Sequence, residues 1–320
     1  MRMRLLGISL LLPLVTSCGD TATAPTPVDV AFAKTQRPDA TGIIDLSPLG
    51  YAWGINARGQ IVGGSLEGRA LMWHTGVVTD LGTLPGGPYS MALAINSRGQ
   101  IVGGSDTPAG SAAFLWEKGT MTNLGTLPGR SHSFARAINE RGQIVGITPP
   151  WDGQERATLW EKGRVIDLGD LPDSRRSSAV DINNRGQAVG ESWSATTNER
   201  RAILWEDGDW KDLGTLPGGT WSSAEAINDR GQIVGLGDTP EGPRAFLWEK
   251  GEMRSLGTLP GGTNSQATGI NARGQIVGVS YGPNGPRAFL WENGAMTELP
   301  LPSPWTFSSA NAINARGQVI

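Results

Sequence analysis

Along this chain, short apolar stretches broken by polar residues recur in groups of four, each too short for a stable helix and each bounded by glycine-bearing turns. One group reads Ala94-Ile95-Asn96, then Gln100 to Gly103, then Ala113 to Glu117, then Met121 to Gly125. β-Branched and aromatic residues dominate these stretches, so they are expected to be strands. The phrase Ile-Asn-x-Arg-Gly-Gln begins at Ile55, Ile95, Ile138, Ile182, Ile227, Ile270 and Ile313, a repeat of 40 to 45 residues. Four antiparallel strands in that length match a propeller blade. The sequence therefore predicts an all-β fold, a β-propeller of about seven four-stranded blades, the last incomplete. A β-solenoid is the alternative, although it usually has a shorter repeat. Gly42 to Pro48 reads as a fourth strand lacking its first three, and the final unit stops at Ile320, before its third strand. Joined, the two ends would make most of a closing blade, as in a chain cut short. The Asn-x-Arg-Gly segment suits a type I turn with glycine in the left-handed region, and Glu-Lys-Gly is expected to serve the same way between strands three and four.

Spacing locates the variable part of each unit. From the strand-three Trp to the next repeat Asn there are always 23 residues, as in Trp73 to Asn96 and Trp291 to Asn314, whereas Asn to Trp varies from 17 to 22. All length variation thus falls in the loop joining strands two and three. In a four-stranded meander that loop shares a face with the blade-to-blade connection, and the Asn-x-Arg-Gly turns share the opposite face. Just after each Leu-Pro-Gly-Gly-type connection stands a serine: Ser90, Ser133, Ser177, Ser222, Ser265 and Ser308. The residue before it changes every time, through Tyr89, His132, Arg176, Trp221, Asn264 and Phe307. Serine hydroxyls bonding to backbone explain the fixed place. The large, mixed set before it is a candidate ligand face, to which the long loops add Trp151, Trp193 and Tyr281. Tolerated surface variation, with loop aromatics folded back over a neighbouring blade, is the competing explanation. The recurring strand-three Trp is expected to be packing between blades.

Composition changes the picture mainly by exclusion. With 27 Lys+Arg against 30 Asp+Glu, no basic surplus supports a nucleic-acid partner. The 46 glycines and 21 prolines fall at fixed places in the repeat, which argues for turns rather than disorder. The N-terminus carries Arg2, Arg4 and an apolar run from Leu5 to Val15, then Val15-Thr16-Ser17-Cys18. This reads as a signal peptide over residues 1–17 with a lipobox, Cys18 being the lipid attachment site and the only cysteine. Residues 18–40 read as a flexible linker of about 25 Å reach, and residues 41–320 as the repeat domain.

The stretch from Arg244 to Gly262, Arg-Ala-Phe-Leu-Trp-Glu-Lys-Gly-Glu-Met-Arg-Ser-Leu-Gly-Thr-Leu-Pro-Gly-Gly, resembles the bacterial extracellular repeat family named for a His-Ala-Phe tripeptide. The likeness runs over essentially residues 41–320 and implies export and repetition. At the naming histidine this chain has Arg69, Ala112, Arg156, Arg201, Arg244 and Arg287, so no role of that histidine carries over.

No catalytic set stands out. His74 and His132 are the only histidines, which leaves no zinc ligand set and no Ser-His-Asp arrangement. Glu117, Glu161, Glu206, Glu249 and Glu292 recur at a turn and read as structural rather than as paired catalytic carboxylates. Glu206 to Asp209 with Asp212 could hold calcium, but an acidic hairpin explains them equally. The repeated arginines from Arg58 to Arg316 crown the face opposite the variable loops, as solvated turn residues or as an anion-binding ring. The expectation is an exported, lipid-anchored, monomeric binding or scaffold module for a glycan or protein, needing no cofactor or metal and held to the membrane through its N-terminal lipid, facing periplasm or cell exterior. A polysaccharide-acting hydrolase or lyase and a purely structural surface protein are the alternatives.

Overall fold

Among the described residues, twenty-four strands form six antiparallel sheets of four, each a simple meander in chain order. In the computed structural model, residues 44–320 are described apart from 47, 48, 150–153, 198 and 302. The expected signal peptide, Cys18 and linker lie outside the described residues, as does Trp151. Blade 1 spans residues 51–80, blade 2 90–123, blade 3 134–167, blade 4 174–212, blade 5 222–257 and blade 6 264–298. The first strands of successive blades contact one another, so the sheets are arranged as a propeller with those strands innermost.

Among the described residues six four-stranded blades are present, where about seven, the last incomplete, were expected. The seventh sector holds, among the described residues, a hairpin, residues 310–320, with a bridge between Ile313 and Val319. Ala310, Ile313 and Val319 pack with Val277 and Ala288 of blade 6, while Ile320 and Leu46 pack on Leu49, Ile61 and Leu71 at blade 1. The expected strand over Gly42 to Pro48 reduces, among its described residues, to a single bridge residue at Leu46.

The repeated Asn explains how so loose a seventh sector still closes the ring. Its Nδ2 donates to the backbone carbonyl of the next repeat's Asn, at 2.9 to 3.1 Å, from Asn56 through Asn96, Asn139, Asn183, Asn228, Asn271 and Asn314 back to Asn56. The same nitrogen donates to the Gln four residues on, and its Oδ1 accepts two backbone N–H groups of its own turn, as Asn183 does from Arg185 and Gln187. Every polar capacity of a buried amide is thus used, which no other side chain of that size can do. The Gln passes the network outward, since Gln143, Gln187 and Gln232 donate to Glu161, Glu206 and Glu249. Those recurring glutamates are therefore structural.

A bulge in each innermost strand re-aims one side chain per blade, at Trp53, Leu93, Arg136, Val180, Glu225 and Thr268. The glycine of Gln-x-Val-Gly makes room for it. A Cβ at Gly190 would stand 1.9 Å from the Ser178 carbonyl oxygen, and Gly103 and Gly235 are equally confined. The turn between strands three and four differs from the expected type I form. Both central residues have positive φ, as at Lys118 (50°) and Gly119 (86°), giving the type I′ turn that matches strand twist. Strand three supplies the core: Phe114, Phe246 and Phe289 are fully buried, each contributing about 2 to 3 kcal/mol. The strand-three Trp packs between blades as expected, Trp160 and Trp205 donating Nε1–H to the carbonyls of Gly125 and Gly169 in the preceding connection.

Candidate functional site

The fixed serines of the variable face are structural. Ser90, Ser133, Ser177, Ser222, Ser265 and Ser308 each accept, at 2.9 to 3.0 Å, the backbone N–H of an alanine in strand three of the preceding blade. Ser90, Ser222 and Ser265 also donate to glycine carbonyls in the blade connection. The varying residue just before each serine lies back over the preceding blade. Tyr89 covers Gly68, His132 covers Gly110 and accepts the Ser111 N–H, and Phe307 covers Gly285, where an added Cβ would fall within 1.9 Å of the ring. Tyr281, half-buried on strand two of blade 6, stands opposite Asn264 and Pro286, and burial pushes its phenol up. Tyr89 and His132 belong to sectors separate from Tyr281 and Phe307, which stand at the same hairpin of blade 6.

Three of the candidates do come together. The Arg176 guanidinium lies 3.7 Å above the Trp193 ring, and that of Arg200 lies 4.1 Å above Trp221 and 5.9 Å from Trp193. Arg200 also pairs at 3.5 Å with Glu191, and both side chains are buried. Guanidinium stacking thus covers a face of each tryptophan, so the site offers charge and hydrogen bonds more than open aromatic surface. The long loop of blade 4 folds toward this group, Thr196 and Ser194 donating to the Asp173 carboxylate.

Around these residues stand others that spacing did not single out. Glu225, re-aimed by the bulge of blade 5, is raised to about 7 by burial and by Glu191, against the opposing pull of Arg136 and Arg200. Ser223 donates to its Oε1 at 3.4 Å. Glu155 of blade 3 is raised by burial, opposed by Arg136 and Arg176. Arg136 of blade 3 and Glu225 of blade 5 sense each other across the intervening blade, which places them toward the axis. Nε of Arg176 is buried without a hydrogen-bond partner. Below the group, Asp181 accepts the N–H groups of Ile182 and Ile227 at 2.8 Å, yet burial raises it to about 6.

The repeat supplies an internal control for these positions. Where blade 4 has Glu191, opposite the alanine of strand three, the other blades have Gly64, Gly104, Ile147, Leu236 and Val279. Two residues before that alanine stand Glu155 and Arg200, against Gly68, Ser111, Pro243 and Pro286 elsewhere. At the bulge stand Arg136 and Glu225, against Trp53, Leu93, Val180 and Thr268. Blades 3 to 5 alone carry ionisable groups at places that the fold fills elsewhere without charge. Aligning every repeat position, rather than only the one before the serine, would have found them.

Neither a protein-family model nor a curated protein sequence matches the chain. Among solved structures it is similar to dipeptidyl peptidase 4 of Porphyromonas gingivalis, at 10% identity and a TM-score of 0.51 over 89% of this chain and 51% of that one. It is also similar to the acylaminoacyl peptidase of Pyrococcus horikoshii, at 14% identity and a TM-score of 0.50 over 78% of this chain and 44% of that one. TolB of Acinetobacter baumannii matches at 11% identity and a TM-score of 0.47, over 76% and 63% of the two chains. The chain spans about half the length of the two peptidases. At these identities the likeness is one of fold, and the class of protein so defined is a β-propeller.

Proposed function

We propose that this β-propeller is an exported, lipid-anchored binding module that captures a polar glycan or protein through the charged sector of blades 3 to 5. The observation that carries this reading is the set of five ionisable side chains, Arg136, Glu155, Glu191, Arg200 and Glu225, at positions that other blades fill with uncharged residues, joined by Arg176 stacked on Trp193. Burying charge is costly for stability. A scaffold that needs none of it in three blades and gathers it in three others is spending it on recognition. The signal-like N-terminus, Cys18 within its lipobox-like tetrapeptide, and the resemblance to the His-Ala-Phe repeat family support export and anchoring to the cell envelope.

Screening the protein on a glycan array and on a panel of envelope proteins tests the reading. Ligand capture should be lost in an Arg176→Ala/Glu225→Gln variant and kept in a Tyr89→Ala variant. A ligand held equally by the first variant would overturn it.

A second reading, a polysaccharide-acting hydrolase, is favoured by one feature. Glu225 is raised to about 7 by burial and by Glu191, Glu191 pairs with Arg200, and an acid that keeps its proton near neutrality beside a second carboxyl group suits a proton donor and its partner. Release of new reducing ends from a captured glycan, abolished by Glu225→Gln, would establish that reading; capture without cleavage would exclude it.

A further inference from the structure

The opposite end of the propeller holds a cavity of about 380 Å³, lined by the Ile-Asn-x residues of all seven repeats. Its size falls within the range of small-molecule sites, about 300 to 1,000 Å³. The residue x is Ala57, Ser97, Glu140, Asn184, Asp229, Ala272 and Ala315 in turn. Each turn employs all the polar atoms of its Asn but leaves the N–H of x without a partner inside the turn. On one arc the following repeat provides the acceptor. Ser97 N–H donates to Glu140 Oε1 at 2.7 Å, Glu140 N–H to Asn184 Oδ1 at 2.8 Å, and Asn184 N–H to Asp229 Oδ1 at 2.8 Å.

On the other arc no acceptor follows. The N–H groups of Asp229, Ala272 and Ala315 precede Ala272, Ala315 and Ala57, whose methyl groups accept nothing, and that of Ala57 makes no bond to Ser97. Four consecutive donors therefore line one side of the cavity. Outside them runs the ring of repeat arginines, six of which reach over the glycine of the next turn, Arg58 being the exception. A Cβ at Gly186, Gly274 or Gly317 would stand 2.5 Å from the guanidinium nitrogen of Arg141, Arg230 or Arg273. Arg58, Arg98, Arg141, Arg185, Arg230, Arg273 and Arg316 take part in none of the ion pairs among the described residues. Of the acids that face the cavity, Glu140 lies within the closed arc, and Asp229 stands at the junction: its carboxylate accepts the Asn184 N–H and Nδ2–H, while its own N–H begins the open arc.

We propose that this open arc, Asp229, Ala272, Ala315 and Ala57, binds a small polycarboxylate whose oxygens occupy the places that the Glu140, Asn184 and Asp229 side chains fill on the closed arc. The molecule itself displays the chemistry of the ligand: acceptor oxygens on short stems, one per repeat, under a cationic rim. The site is separate from the charged sector on the opposite face and stands or falls independently of it.

Titration of ¹⁵N-labelled protein with citrate tests the proposal. Saturable shifts are expected at the amides of Ala57, Asp229, Ala272 and Ala315. An Ala272→Asp/Ala315→Asp variant supplies its own oxygens and should weaken citrate by at least about tenfold. The same spectrum shows whether that variant is folded; the single Ala57→Glu variant, which copies the arrangement at Glu140, serves if it is not. Glu140→Ala frees one more donor and removes one negative charge, so it should bind citrate at least as tightly as the parent chain. Absence of saturable shifts, or equal affinity in a folded plugged variant, would overturn the proposal.

Discussion

Blades 3 to 5 and blades 1, 2 and 6 are built on one pattern, and where they differ shows what the pattern itself requires. Both groups share the Asn ring, the serine hooks, the bulge with its facing glycine and the type I′ hairpin between strands three and four. They part at three positions near the axis and the variable face. There blades 1, 2 and 6 hold Gly64, Leu93, Gly104, Pro286 and Thr268, and blades 3 to 5 hold Arg136, Glu155, Glu191, Arg200 and Glu225. What is common to both groups serves folding. What is confined to one group is not needed by the fold of the other, and in the proposed function it serves ligand capture.

The largest effect is expected where the two groups agree. Asn228→Ala removes two donated and two accepted hydrogen bonds at a buried site and strands two turn N–H groups, while the Asn271 carbonyl keeps only the Gly274 N–H. The loss should be about 4 kcal/mol. It should be similar for Asn96→Ala in blade 2, because the network is the same there. Chemical denaturation of both variants checks this; a large difference between the two blades would mean that the ring is not shared equally.

A smaller effect is expected at Arg200, where the groups differ. Arg200→Ala leaves Glu191 buried without its partner and uncovers Trp221, a loss of about 3 kcal/mol. Replacing both members, as Glu191→Leu with Arg200→Met, should recover that loss or exceed the parent stability, since a buried ion pair rarely outperforms apolar packing. Stability recovered together with loss of ligand capture is the expected result. A double variant as unstable as the single one would assign the pair to folding.

Much of this was legible in the sequence, because a repeat multiplies each local signal. Four strand-like stretches per unit, a fixed Trp-to-Asn distance and the glycines at turns gave fold class, blade order and the face that carries the variable loops. The serines read correctly as backbone anchors. About seven blades with the last incomplete were expected; six four-stranded blades form, and the incomplete one is reduced to a hairpin. A short hairpin can satisfy the Asn ring on both sides, from Asn271 to Asn314 and from Asn314 to Asn56, without four strands of its own. The candidate site was half legible. Arg176, Trp193 and Trp221 stand out by size, and the structure joins them. Tyr89, His132 and Phe307 stand out equally, yet each covers a glycine of the preceding loop. Size alone does not separate packing over a neighbour from contact with a ligand. Glu191 and Glu225 are unremarkable among the acids of the chain; only their positions, in a strand interior and at a bulge facing the axis, make them unusual.

A further contrast lies in pH. Glu225 is raised to about 7 in the fold from an ordinary 4.5. At about pH 4 both folded and unfolded chains hold the proton, and the group has no effect on stability. Between the two values the unfolded chain releases its proton first, so stability falls as pH rises, and above 7 the whole penalty is present. Glu225→Gln removes it. The variant should match the parent at about pH 4 and exceed it at about pH 8 by about 2 kcal/mol, after allowance for water reaching the channel. Asp181→Asn should show the same sign over a lower window, up to about 6, offset by the carboxylate's two backbone hydrogen bonds. Melting temperatures across this range check both; a parent chain that gains on its Gln variant as pH rises would mean that Glu225 is held ionised by its arginines.

The smallest effect is expected at Tyr89, and it bears most directly on where the ligand lies. The ring is 38% exposed and rests on Gly68, so Tyr89→Ala removes part of one aromatic contact and uncovers a loop glycine. The change should be about 1 kcal/mol. Because Tyr89 stands in blade 2, outside the charged sector, ligand capture by Arg136, Arg176 and Glu225 should keep its affinity within about twofold in this variant. Phe307→Ala, at the matching place beyond blade 6, should behave alike. If either substitution weakens capture as strongly as Arg176→Ala does, the ligand spans the whole variable face, and blades 1, 2 and 6 take part in recognition through their large side chains rather than through charge.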